Sequence, residues 1–140
     1  MADISSSKPV KLFVGILSSD NTLLEEVEYL LAKRLGKVDI KSEIFPFDFT
    51  DYYKKEMGTN ISRQFLCFKE LINPEELSDI KIWTNELENE IKCYRKSDVA
   101  RPINLDPGYL THCNLVLASA KDYYHRIHLQ NGIYAEVTLF

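Results

Sequence analysis

Apolar and polar positions along this 140-residue chain repeat with two different periods, and the period changes from segment to segment. Val10 to Leu17 (VKLFVGIL) is a short apolar run of strand formers and predicts a buried strand, broken by Ser18-Ser19-Asp20-Asn21. In Thr22 to Leu35 the period becomes helical, with Leu23, Leu24, Val27, Leu30, Leu31 and Leu35 on one stripe. Thr22 and Glu25 have the spacing of a capping box, Lys33 and Arg34 suit the last turn, and Gly36 suits the stop. Val38 to Phe49 returns to an extended pattern in which Phe45, Phe47 and Phe49 share a face. Pro46 marks that segment as an edge strand or a bulge, because it lacks a ladder donor. Thr50 to Met57 reads as a short helix closed by Gly58, and Arg63 to Leu71 as a third strand.

Asn73 is placed to cap a second long helix, with Pro74 at the first helical position and Glu76 three residues after the cap. Leu77, Ile80, Thr84, Leu87, Ile91 and Tyr94 give it one face, while Ile82 and Trp83 fall off that stripe. From Pro102 onward the pattern is extended again: Ile103 to Leu105, a turn expected at Asp106-Pro107-Gly108, then Asn114 to Ala120. His125 to Gln130 and Ile133 to Phe140 flank Asn131-Gly132, the dipeptide of a two-residue hairpin. The order strand, helix, strand, strand, helix, strand, hairpin predicts an α+β fold. Its simplest form is a mainly antiparallel, ferredoxin-like split βαβ sheet with two long helices on one face and a C-terminal β-hairpin. A mixed sheet is the alternative.

Composition narrows the class. Residues 1 to 8 are small and polar and read as a disordered tail, leaving 9 to 140 as a single domain. The chain stops inside an apolar run, Val137-Thr-Leu-Phe140, as expected of a domain truncated at its C-terminus. A net charge of -4 argues against a polynucleotide partner. No apolar run approaches the roughly 20 residues a bilayer span requires, and no secretory signal is evident. Cys67, Cys93 and Cys113 form no Cys-x-x-Cys pair and fit a reducing cytoplasm as buried, inert thiols.

Several blocks occur in an order that carries a resemblance. They are Phe45-Pro-Phe-Asp-Phe-Thr-Asp-Tyr-Tyr53, Glu56-Met57-Gly58, Thr84-Asn85 with Glu88, Asn104-Leu-Asp-Pro-Gly-Tyr-Leu110, Lys121-Asp122, His125-Arg126-Ile127 and Gly132-Ile-Tyr-Ala-Glu-Val-Thr138. From about Val10 onward the chain resembles the bacterial domain-of-unknown-function family DUF4416. Some relatives are loosely labelled GTP-binding, so the resemblance implies a nucleotide or similar ligand. A P-loop would need Gly-x4-Gly-Lys-Ser/Thr between strand and helix, and Gly15-Ile-Leu-Ser-Ser19 does not supply it. An anion at the first helix N-terminus, near Ser18, Ser19 and Thr22, is the substitute device.

The candidate chemistry lies in Asp48, Asp51, Asp106 and Glu136, with Arg63, Lys121 and Arg126 as counter-charges. Carboxylates that hold Mg²⁺ beside cations that clamp phosphate suit a phosphorylated small molecule, with Asp106, His125 and Glu136 as catalytic candidates. The competing account makes Asp48 and Asp51 helix caps, Asp106 a turn residue and the rest surface ion pairs. His125, His128, His112 and Cys113 lack the paired spacing of a zinc site. The sequence therefore frames two functions: a domain that binds or processes a phosphate-containing molecule such as a nucleotide, and a non-catalytic regulatory or interaction domain.

Overall fold

The computed structural model describes residues 1–140. Eight strands form one antiparallel sheet: β1 (Lys11–Ser18), β2 (Val38–Lys41), β3 (Phe45–Pro46), β4 (Ser62–Phe68), β5 (Ile103–Leu110), β6 (Leu115–Ser119), β7 (Ile127–Gln130) and β8 (Ile133–Leu139). The helices are α1 (Asn21–Leu35), the short α2 (Lys54–Met57) and α3 (Leu77–Tyr94). Strand order is β2-β4-β1-β5-β6-β8-β7, with β3 also on β4. Because β1 and β2 both run antiparallel to β4, they are parallel to each other with β4 between them. By the same reasoning β4 and β5 are parallel with β1 between them. These are two interleaved split βαβ units, the ferredoxin-like arrangement expected from the pattern.

Both long helices cover the same face. Leu12, Val14 and Ile16 of β1 meet Leu66 and Phe68 of β4, Ile103 and Leu105 of β5, and the apolar stripes of α1 and α3. A smaller cluster beneath the start of α3 joins Leu77 to Val116, Ala118 and Ile133, so the C-terminal strands hold on through a thin layer. On the far face, Met57 and Ile61 pack on Leu17 with Phe47 and Tyr53 beside them. The segment from β3 to β4 is thereby folded across one end of that face.

Three local expectations are corrected. Asp106-Pro107-Gly108 is not a turn; β5 runs straight through it, with Asp106 opposite Gly15 and Gly108 opposite Phe13. The turn lies at Thr111–Asn114, where the Thr111 hydroxyl accepts from the N–H groups of Cys113 and Asn114 (both 3.0 Å). Gly108 is needed for close approach instead: a Cβ there would stand 2.6 Å from the Phe13 ring and against the Val116 carbonyl. Second, α1 is capped by Asp20, whose carboxylate accepts from Thr22 N–H at 2.9 Å and from its hydroxyl at 2.7 Å. An ionised acceptor two residues earlier displaces the Thr22–Glu25 box, and it fills the helix N-terminus with the protein's own anion. Third, Cys93 and Cys113 are exposed and only Cys67 is partly covered, where burial pushes its thiol pKa up. The Asn73–Glu76 capping box forms as expected, in a 3-10 turn that leads into α3. Asn131 (φ 53°) and Gly132 (φ 75°) form the predicted hairpin turn. No helix is long and apolar enough to cross a membrane.

Candidate functional site: a cleft where two strands part

The site begins with an interrupted ladder. β5 and β6 pair only through Gly108↔Leu117, Tyr109↔Val116 and Leu110↔Leu115. Beyond Gly108 stands Pro107, which has no N–H, and the remainder of β5 is left without a strand on that side. The exposed backbone polarity is met by α3. Glu88 accepts the Leu105 N–H at 2.6 Å, and Lys81 donates to the Leu105 carbonyl at 2.9 Å. Two charged side chains thus do for Leu105 what a neighbouring strand would otherwise do. Between the parted strands lies a cleft of about 700 Å³. Its walls are α3, the start of β5, the end of β6 and the tyrosines that precede α2.

The α3 wall is a desolvated charge network. Arg101 reaches Glu88 at 3.3 Å and the Asn104 amide oxygen at 2.6 Å, while the Asn104 amide donates to Asp106 at 2.7 Å. Lys81, whose side chain is 7% exposed, sits 3.6 Å from Asp106. Burial raises the Glu88 pKa, and the Leu105 N–H, Lys81 and Arg101 only partly offset it.

The opposite wall behaves in the reverse sense. Arg126 donates from Nε to Glu136 at 2.8 Å and from Nη1 to the Ser119 hydroxyl at 2.8 Å and the Lys121 carbonyl at 3.0 Å. His125 Nε2 lies 3.1 Å from the same Glu136 oxygen. The Arg126 bond is the main reason the Glu136 pKa falls below its ordinary value; His125 adds to it and burial opposes it. Lys121 meets no carboxylate. Its ammonium donates to the Tyr52 hydroxyl at 2.6 Å, which raises its pKa and links the two sides of the cleft mouth.

Asp106, Lys121, Arg126 and Glu136, remote in sequence, are therefore brought to one concavity. His125 stands behind Glu136 and precedes β7, so it is a partner of the wall and not part of the lining. Asp48 and Asp51 do not reach the cleft: both are exposed, and Asp51 pairs with Lys54. Residues that sequence reasoning did not assign to the site are Lys81, Glu88, Arg101, Asn104 and Tyr53. A signal for the α3 wall existed in the spacing. Lys81, Asn85, Glu88, Asn89 and Lys92 fall at i, i+4, i+7, i+8 and i+11, a polar stripe beside the apolar one.

The family model for a domain of unknown function, DUF4416, matches residues 8–140, nearly the whole chain. The chain belongs to the DUF4416 family. Searches of curated proteins and of solved structures find no match. In this DUF4416 domain two of the blocks that carried the resemblance, Asn104–Leu110 and Gly132–Thr138, supply Asp106 and Glu136 to facing walls of the cleft. The blocks Lys121-Asp122 and His125-Arg126-Ile127 supply the cations of the second wall.

Proposed function

We propose that the domain binds a phosphate-containing small molecule, such as a nucleotide, in the cleft between β5 and β6. The observation that carries this reading is the convergence of Lys121 and Arg126 with Asp106 and Glu136, with Lys121 free of any carboxylate. The lining holds Lys81, Lys92, Arg101, Lys121 and Arg126 against Glu56, Glu88, Asp106 and Glu136, an excess of one cation that favours an anionic guest. Asn85 and Asn89 add amide donors and acceptors, and Tyr52 and Tyr53 present aromatic surface beside the charges, a combination suited to a ligand with a flat ring and an oxyanion. No three metal-ligating side chains converge. Mg²⁺ would therefore enter with the ligand, held by Asp106 or Glu136 together with phosphate oxygens.

Binding is better supported than turnover. Asp106, Glu88 and Glu136 are all engaged by protein partners, and Glu136 is held ionised by Arg126. Asp106, His125 and Glu136 remain the residues from which any acid–base chemistry would be drawn. Exposed free thiols at Cys93 and Cys113 suit a reducing compartment such as the cytoplasm.

The test is a thermal-shift screen of nucleotides, phosphosugars and inorganic pyrophosphate, each with and without Mg²⁺. A ligand at a hundred times its Kd adds about 2.7 kcal/mol, which is several degrees in Tm for a domain of this size. Lys121→Gln removes the ammonium and its exposed bond to Tyr52, and it is expected to cut the shift while lowering the unliganded Tm by no more than a degree or two, roughly the value of one exposed bond. If no phosphorylated compound raises Tm, the reading fails, and the interaction-domain account takes its place. That account would draw on β7, an edge strand exposed along its whole length.

A further inference from the structure

Arg63 is the one residue with a buried side-chain nitrogen that nothing in the protein satisfies: its Nε has no hydrogen-bond partner. Its guanidinium is held instead by aromatic rings, 4.8 Å from the centre of Phe47 and 5.2 Å from that of Phe65. No carboxylate forms an ion pair with it, although ten such pairs occur elsewhere in the molecule. A planar cation fixed between rings, with its terminal nitrogens left open, is pre-organised to receive an oxyanion through two parallel N–H bonds.

The register places this cation beside the cleft. Gly15 of β1 stands between Phe65 of β4 and Asp106 of β5, all three on the sheet face that the long helices leave free. Arg63 Nη1 leans over Gly15, 3.2 Å from where a Cβ would be. Over Gly15, which has no side chain, lie that nitrogen and the Phe65 ring, and Asp106, which lines the cleft, stands opposite on β5. Neighbouring strands are about 4.8 Å apart, so the guanidinium over Gly15 lies roughly one strand from Asp106 and flanks the cleft without lining it. The charged or titratable groups acting on Arg63 are Asp106 and Tyr53; Asp106 is already answered by Lys81 and Asn104, and Arg101 and Lys121 act on Tyr53. Burial pulls the Arg63 pKa down, with Asp106 and Tyr53 only partly opposing it.

We infer that Arg63, at the flank of this cleft, binds the oxyanion of the ligand, taking a phosphate or carboxylate group through its terminal nitrogens beside Gly15 and Asp106. The inference deepens the cleft reading and rests on it. Arg63 positions the anionic end of the ligand at that flank, and Lys121 meets the ligand at the mouth.

Isothermal titration of the full chain with pyrophosphate, and separately with malonate, tests it and distinguishes the two oxyanion sources. Arg63→Met keeps an unbranched apolar stem between Phe47 and Phe65. It is expected to weaken binding of the preferred oxyanion about tenfold or more. Arg63→Lys keeps the charge but not the fork and is expected to fall between that variant and the wild type. Should Arg63→Met fold poorly, the wild type itself supplies the measurement. Its Arg63 guanidinium NMR resonances, assigned by their loss in Arg63→Lys, are expected to move and exchange more slowly on saturation. Unchanged affinity in the Arg63 variants, or unmoved resonances, overturns the role of Arg63; if Lys121→Gln still weakens binding, the cleft reading survives that result. Tighter binding of malonate than of pyrophosphate overturns the phosphate assignment, and it supports Arg63 where Arg63→Met weakens the malonate binding. No binding of either by the wild type overturns the role of Arg63, and the cleft reading then stands or falls on the nucleotide and phosphosugar screen.

Discussion

The two ends of β5 solve the same problem in different ways. At Gly108–Leu110 the outer edge is paired to β6 and backbone groups satisfy one another. At Ile103–Asp106 β6 has departed, and side chains from α3 take its place. The laddered end asks only for close packing, which is why a residue without a side chain stands at Gly108. The parted end asks for ionisable groups in a desolvated setting, and such groups bring with them a concavity lined by charge. A cleft opens where the sheet was left incomplete, and the cost of leaving it so falls on Glu88 and Lys81.

The largest expected effect tests the laddered end. Gly108→Val forces a branched side chain into the Phe13 ring and the Val116 carbonyl, and overpacking of this kind costs about 3 kcal/mol or prevents folding. Urea denaturation measures it, and a loss below about 1 kcal/mol would show that β5 and β6 can move apart at this end too. Next in size is Glu88→Ala, which strips the Leu105 N–H of its acceptor and leaves Arg101 short of a partner; about 2 kcal/mol is expected from the same measurement.

The two walls then separate by pH. The Glu88 pKa is raised, so from the ordinary carboxylate range near pH 4.5 up through that raised value the folded state holds a proton the unfolded chain has lost. Stability through that window therefore declines as pH rises, and Glu88→Gln is expected to remove the decline. Glu136 has the opposite sign. Its lowered pKa gives stability that is present above the ordinary range and is lost as pH falls through the lowered value. Glu136→Gln is expected to remove that acid-side loss. Denaturant midpoints measured across acidic to neutral pH for both variants check the pair, and parallel profiles for the two would erase the distinction between the walls.

Smaller still is Gly132→Ala at the hairpin tip. It places a Cβ at φ 75° in open space, so strain alone acts and about 1 kcal/mol is expected. Asp51→Asn is expected to change stability by less than about 0.5 kcal/mol and to leave ligand binding untouched, since that residue lies outside the cleft.

Much of the scaffold is legible without coordinates. Leu23 to Leu35 and Leu77 to Ile91 announce helices because one apolar stripe at helical spacing has a single way to be buried. Asn73-Pro74 and Asn131-Gly132 announce a helix start and a hairpin because their backbone preferences are local. The sequence by itself determined these elements, their order and hence the split βαβ core. Asp106-Pro107-Gly108 shows where local preference fails. It has turn chemistry, yet β1 and β6 together hold it extended, because Gly108 is required by a contact that sequence spacing does not reveal. Only the tertiary structure decided which charges meet. Lys81 and Glu88 come from a helix, Asp106 from a central strand, Lys121 and Arg126 from the run between β6 and β7, and Arg63 from across the sheet. Their proximity depends on strand register and on where β5 and β6 part. Both are settled by packing among residues far apart in the chain, which no local pattern encodes.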